Sequence, residues 1–188
     1  MHIELELDCG PCRLRPLRRD DAPTLVRYAN NARVAVYLRD RFPHPYSTDD
    51  AFRFLDYVSQ TRDECVAGIE IAGALPSIRP GAQASTAGIA GAIGLQFRTD
   101  IERCSAELGY WLGEPFWGRG ITTAAIGNFT AWAMPRFELT RVYAEVFTEN
   151  PASGKVLEKC GFTRVGLLRK AAIKRGTHHD YVLYDLVR

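Results

Sequence analysis

The chain predicts a single α/β (α+β) domain, with a mixed, mostly antiparallel sheet of about seven strands and helices on both of its faces. Three observations carry that expectation. The 188 residues suit one core, because 46% are hydrophobic and only 24% charged. Stretches with the two-residue period of strands interleave with stretches of helical period. One stretch, Glu107 to Trp132, passes from a strand rich in Tyr, Trp and Leu through a glycine-bearing turn into a helix.

In chain order, strands at about 2–7 and 12–18 form an N-terminal pair. Asp20-Asp21-Ala22-Pro23 reads as a helix start, and that helix runs through Tyr28 and Asn30. A short helix covers Ala32 to Leu38, and Arg41 to Tyr46 is an aromatic, proline-rich loop. Ser47 with Asp50 three residues on makes a capping box ahead of a helix to about Gln60. Strands near Glu64–Ile71 and Gly88–Phe97 flank Gly73 to Thr86, which is rich in Gly, Ala, Pro and Ser. That stretch reads as a mobile hairpin insert, because the strands either side need each other. The strand Glu107 to Leu112, the turn Gly113 to Gly120 and a helix from Ile121 follow. After the strand Arg141 to Phe147, Asn150 is an N-cap with Pro151 at the first helical position, and Gly161 suits a left-handed cap at the far end. Two last strands, Arg164–Ala172 and Tyr181–Val187, are joined by a polar turn at Lys174 to Thr177. No internal repeat is visible, and the whole chain reads as one domain.

A net charge of +2 gives no basic excess that would argue for nucleic acid. No apolar run approaches the ~20 residues of a spanning helix, and MHIELELDCG lacks the basic start and apolar core of a signal peptide. The expected location is therefore the cytoplasm, with no membrane partner and a monomeric or homodimeric state. Cys9-Gly10-Pro11-Cys12 is spelled like a thioredoxin-type redox pair. Its context differs, since an alternating strand with Pro16 follows where a helix should open. The other cysteines, Cys65, Cys104 and Cys160, are isolated, so no metal site is expected.

The most informative segment is Glu107 to Ala125. Gly118 and Gly120 lack the Cβ atoms that block close approach, and Arg119 adds a cation. Helix amides from Ile121 onward have no partner within the helix, so the turn suits an anion. It is not a Walker loop, and the dinucleotide GxGxxG pattern fails at Thr123. Gly109-Tyr110-Trp111-Leu112 followed by Phe116-Trp117-Gly118-Arg119-Gly120 resembles the GNAT superfamily of acetyl-CoA-dependent N-acetyltransferases, in its RimJ/RimL branch. Against the general pyrophosphate pattern Q/R-x-x-G-x-G/A, Trp117 takes the first place and Thr122 the last, so only Gly120 matches. Asn150-Pro151-Ala152-Ser153 and the ending Leu157-Glu158-Lys159-Cys160-Gly161-Phe162 resemble the family's second cofactor element.

The resemblance implies the GNAT fold, with a sheet splayed between the family's fourth and fifth strands, and acetyl-CoA as cosubstrate without a metal. It implies cofactor contacts from Leu112, Trp117, Gly118, Arg119, Gly120, Ile121, Thr122, Thr123, Asn150, Ser153, Lys155 and Lys159. The acetyl carbonyl is expected near the Tyr110 amide and the pantetheine near that of Leu112. Glu107 is the expected base, on the strand face opposite Tyr110 if the strand is regular. In this branch a Glu on the penultimate strand has been given that role. Its place here looks like Ala172, with His178 and His179 just beyond as substitutes. For the thiolate the family often uses a Tyr on the second cofactor helix; Ser153 stands near that place. The acceptor, a protein N terminus or a small-molecule amine, is expected to meet Phe42, Tyr46, His178 and His179. The implied function is an acetyltransferase acting by direct attack in a ternary complex. The alternative is a weakly active or inactive CoA-binding sensor or interaction module of the same fold.

Overall fold

The structure, a computed structural model, describes residues 5–72 and 87–188. Its strands are β1 (Leu7–Asp8), β2 (Arg13–Arg15), β3 (Glu64–Ala72), β4 (Ala87–Phe97), β5 (Ser105–Leu112), β6 (Arg141–Phe147), β7 (Thr163–Lys174) and β8 (Thr177–Val187). Its helices are α1 (Ala22–Ala29), α2 (Ala32–Ala35), α3 (Thr48–Gln60), α4 (Ile121–Arg136) and α5 (Pro151–Lys159).

Local chemistry sets several of these boundaries. The Ser47 hydroxyl accepts from the Asp50 amide at 3.2 Å while the Ser47 amide donates to the Asp50 carboxylate at 2.8 Å, so the expected capping box closes and α3 starts at Thr48. The Asn150 side chain accepts from the Ser153 amide at 3.3 Å and starts α5. Gly161, at φ 87, turns the chain out of that helix. α2 ends earlier than Leu38, and α4 continues four residues past Trp132.

The described sheet has eight strands rather than about seven, in the order β1-β2-β3-β4-β5-β6-β8-β7. Every pairing is antiparallel except β5 with β6. The N-terminal pair is much shorter than expected, and residues 1–4 of it lie outside the described residues, as does the insert expected at Gly73 to Thr86. Cys9-Gly10-Pro11-Cys12 is the hairpin that joins β1 to β2, with Gly10 at φ 79 and the Cys9 amide donating to the Cys12 carbonyl at 2.9 Å. Burial pushes the Cys12 thiol up to about 12 and raises that of Cys9, the opposite of what thiolate chemistry requires. β7 and β8 are longer than expected. Their turn has shrunk to Arg175 and Gly176, at φ 51 and 77, so His178 and His179 are strand residues.

Two apolar layers cover the sheet. One face carries α4 and α5 through Ile126, Phe129, Met134 and Leu157 against Ala90, Ile93, Leu108 and Val142. The other carries α1 and α3 through Leu25, Ala29, Ala51 and Leu55 against Ile89. On that second face, buried Arg15 donates to Asp21 at 2.9 and 2.7 Å and to Glu70 at 2.7 Å, tying β2 and β3 to the start of α1.

Candidate active site

β5 and β6 run side by side for three residues, with Ser105, Ala106 and Glu107 level with Arg141, Val142 and Tyr143, and then part. The splay thus lies between the fifth and sixth strands of this chain. β4 stays paired with β5 from Ala106 to Leu112 without a shift in register. The Gly113 amide donates to Ala90 of β4 at 2.7 Å. Strand alternation then turns the N–H and C=O groups of Trp111 and Gly109 toward β4, and those of Leu108, Tyr110 and Leu112 toward the gap. These include the two amides for which sequence gave an expectation.

The gap opens into a cleft of about 1010 Å³ lined from α2, α3, β4, β5, β6 and α5. At one end stand Trp117, Gly118 and Thr122. Gly118 and Gly120 both sit at φ 74, where a side chain is strained, and a Cβ at either would meet nothing within 4 Å. The first backbone bond of α4 runs from the Ala124 amide to the Gly120 carbonyl at 3.0 Å, which leaves the amides of Ile121, Thr122 and Thr123 ahead of its ladder. The Trp117 indole N–H donates to the Leu112 carbonyl at 2.7 Å, so Trp117 fastens the turn to the end of β5. Arg119 in this turn and Lys155 and Lys159 on α5 are exposed.

Side chains of β5 alternate as expected for a regular strand. Tyr110 points toward α5, where its hydroxyl and that of Ser153 share a hydrogen bond of 2.6 Å. Burial pushes the Tyr110 phenol up to about 12, so it keeps its proton at neutral pH. Sequence reasoning valued Tyr110 for its amide and missed this contact. The phenol arrives from the strand at the place where the family was expected to use a helix tyrosine.

Glu107 lies on the opposite face. Arg39 bonds one of its oxygens and Arg98 the other, the latter at 3.3 Å, and Arg98 also donates to the Tyr143 hydroxyl at 2.6 Å. Glu145, two residues beyond Tyr143 on β6, lines the cleft on this same face. Sequence reasoning passed over it, although a carboxylate amid the apolar strand Val142-Tyr143-Ala144-Glu145-Val146-Phe147 was a signal it could have used.

Phe42 and Tyr46 line the cleft, but they also belong to the second core. Their rings meet at a tilt with centroids 5.0 Å apart, Phe42 meets Trp111 at 5.4 Å, and Tyr46 is only 5% exposed. His178 and His179 are not among the cleft residues. His179 bonds Glu149 at 2.9 Å and packs edge-on against Phe147, because the hairpin turn is tighter than a polar loop would be. Ala172 lines a side pocket of about 290 Å³ together with Glu145 and Tyr181. Asp180 accepts from the Lys170 amide at 2.7 Å, which makes it part of the irregularity in β7. Among the described residues, no group of His, Cys, Asp and Glu is placed to hold a metal, and no helix is long and apolar enough to cross a membrane.

A half-open strand edge that ends at a glycine-entered helix is a site for an extended ligand with an anionic end. The chain belongs to the acetyltransferase (GNAT) domain family, whose model matches residues 12–163. It is 36% identical over 100 residues to YdaF of Bacillus subtilis (strain 168), covering 53% of this chain and 54% of that one. Against the ribosomal-protein-serine acetyltransferase of Escherichia coli (strain K12) it is 32% identical over 80 residues, 43% of this chain and 45% of the relative. The chain thus spans about half the length of these curated relatives. Among solved structures it resembles RimL, a ribosomal L7/L12 alpha-N-protein acetyltransferase in complex with coenzyme A, with a TM-score of 0.79 at 20% identity over 97% of both chains. That likeness establishes the GNAT fold.

Proposed function

We propose that this protein transfers the acetyl group of acetyl-CoA to a primary amine by direct attack in a ternary complex. The observation that carries the reading is the free edge of β5, whose Tyr110 and Leu112 amides face the gap beside the glycine-entered start of α4. Pantetheine would lie along that edge with its pyrophosphate on the Gly118 to Thr123 turn. Asn150 would reach the pantetheine arm, and Arg119, Lys155 and Lys159 the outer phosphates. The Tyr110 amide would meet the developing oxyanion. The neutral Tyr110 phenol, coupled to Ser153, would supply the departing thiolate with a proton.

The acceptor would enter from the opposite face of β5, past Phe42, Tyr46, Arg39 and Glu107, so that amine and thiol protons are handled on different sides of one strand. Its class is a primary amine, either a protein N terminus or a small molecule. Solved neighbours include a spermidine N-acetyltransferase from Vibrio cholerae with CoA and spermine bound, at 23% identity and a TM-score of 0.73. The absence of a carboxylate at Ala172 favours a second reading, a CoA-binding module without transfer. Both readings expect CoA to raise the melting temperature by mass action. Only the first expects free thiol to be released from acetyl-CoA when a panel of amines and N-terminal peptides is supplied, and no release with any amine would leave the second.

A further inference from the structure

We propose that Glu145 is the catalytic base that takes the proton from the acceptor amine, while Glu107 positions the arginines around it. The proposal rests on the transferase reading above. Six carboxylates line the cleft: Asp40, Asp50, Glu64, Glu107, Glu145 and Glu149. Five are engaged. Lys174 holds Asp40, Ser47 and Arg53 hold Asp50, Arg41 and Tyr57 hold Glu64, Arg39 and Arg98 hold Glu107, and His179 holds Glu149. Of these six, Glu145 alone has neither an ion pair nor a hydrogen bond among the described residues.

Its place in the fork suits the role. Glu107 and Tyr143 form the last level pair of β5 and β6, so Glu145 stands two residues, roughly 7 Å, beyond the fork and level with Gly109. Alternation puts Glu145 on the face of Tyr143 and Gly109 on the face of Glu107, the shared acceptor side. A Cβ at Gly109 would meet nothing within 4 Å. That open space lies between Glu145 and the strand edge, one residue before the Tyr110 amide, where an amine attacking the acetyl carbon has to stand.

The electrostatics agree. The Glu145 side chain is open to the cleft, but the walls strip part of its hydration and raise its pKa above the usual carboxylate range. Glu107 adds to the rise, and Arg39 and Arg98 oppose it. The other titratable or charged groups around β6 here are Tyr143 on the strand itself, Tyr181 on β8, Lys174 on β7 and Asp40 after α2. Lys174 is engaged by Asp40 and by the Leu38 carbonyl, and so does not neutralise Glu145. A carboxylate raised above its ordinary range is a stronger base than one that titrates within it.

The proton balance closes. The ammonium form of the acceptor gives one proton to the Glu145 carboxylate, and the neutral nitrogen forms its bond to the acetyl carbon. As the carbon–sulfur bond breaks, the Tyr110 phenol gives its proton to the thiolate and is reprotonated from water, while the nitrogen releases its second proton to water on the acceptor side. Products are the amide and the free thiol, and Glu145 returns its proton to solvent.

The test is steady-state thiol release from acetyl-CoA between pH 5 and 9 with spermidine and a serine-initiated hexapeptide, alongside calorimetry with CoA. Glu145→Gln should lower kcat about a hundredfold and remove the acid limb of the kcat profile, with CoA affinity within twofold of wild type. Glu107→Gln should lower kcat yet keep that limb. Gly109→Leu should raise the acceptor KM and spare CoA binding. If wild type transfers to neither of these nor to any other amine or N-terminal peptide of the panel, the transferase reading fails and takes this assignment with it. If wild type is active and Glu145→Gln keeps its kcat and acid limb, the base assignment alone is wrong.

Discussion

Gly120 offers the sharpest test of the phosphate turn, because two substitutions there separate backbone strain from charge. At φ 74 any L side chain is strained, and the absence of atoms within 4 Å of its Cβ means that no clash is added. Left-handed strain costs about 1–2 kcal/mol, which for a domain of this size lowers Tm by roughly 2–8 °C, and Gly120→Ala and Gly120→Glu should share that loss. Binding should divide them. A carboxylate at this position would occupy the place proposed for the pyrophosphate and remove at least two hydrogen bonds to a charged group, worth about 1.5–3 kcal/mol each. The sum of roughly 3–6 kcal/mol is a loss of about 10²- to 10⁴-fold in CoA affinity for Gly120→Glu, against a much smaller loss for Gly120→Ala. Calorimetry with CoA reads the difference, and acetyl-pantetheine, which lacks the pyrophosphate, should bind the two variants alike. Equal CoA affinity in the Ala and Glu variants would refute the assignment of this turn to phosphate.

Tyr110→Phe removes the hydroxyl bonded to Ser153 and should lower kcat about tenfold or more with CoA affinity unchanged, measured by single-turnover thiol release. Because the phenol is pushed up to about 12, the wild-type profile should show no basic limb from Tyr110 below about pH 10. Tyr46→Ala should cost about 3 kcal/mol or more in urea unfolding, as for other buried aromatics, before any effect on the acceptor KM is read. Glu145 also predicts a stability signature. Its folded pKa is raised, so its contribution to stability is present below the ordinary carboxylate pKa and is lost as pH rises through the folded value. Glu145→Gln should therefore raise Tm relative to wild type at pH 7 more than at pH 4, and an equal difference at both would show that the side chain titrates normally.

What was legible in the sequence was local. The capping box of α3, the Asn150 and Gly161 ends of α5, the strand Arg141 to Phe147 and the glycine-bearing turn ahead of α4 are each fixed within a few residues, and each was placed well. What was not legible depends on segments meeting across the fold. Tyr110 reaches Ser153 across 43 residues of chain, and Arg39 reaches Glu107 across 68, distances over which periodicity carries no signal. The histidines were misplaced for a smaller reason. Gly176 allows a two-residue turn, so the strand begins at Thr177 and draws His178 and His179 into the hairpin. Tyr46 was expected to meet the acceptor because the family resemblance sets its aromatic, proline-stiffened loop where the amine enters; it does line the cleft, but it also packs on Phe42, which in turn meets Trp111, and so belongs to the second core.

The division of labour on β5 depends on register, and the register has a physical guard. A Cβ on Gly91 would lie 2.2 Å from the Trp111 carbonyl oxygen and 3.0 Å from the Leu112 Cα, so β4 approaches β5 there at a distance only glycine allows. A slip of one residue would exchange the faces of Glu107 and Tyr110 and turn the Tyr110 and Leu112 amides into the sheet. The proposed acid and acceptor groups would then exchange sides of the strand. Close packing at Gly91 thus holds a regular strand through the point where its other neighbour departs, and the fork can open without the strand losing its phase.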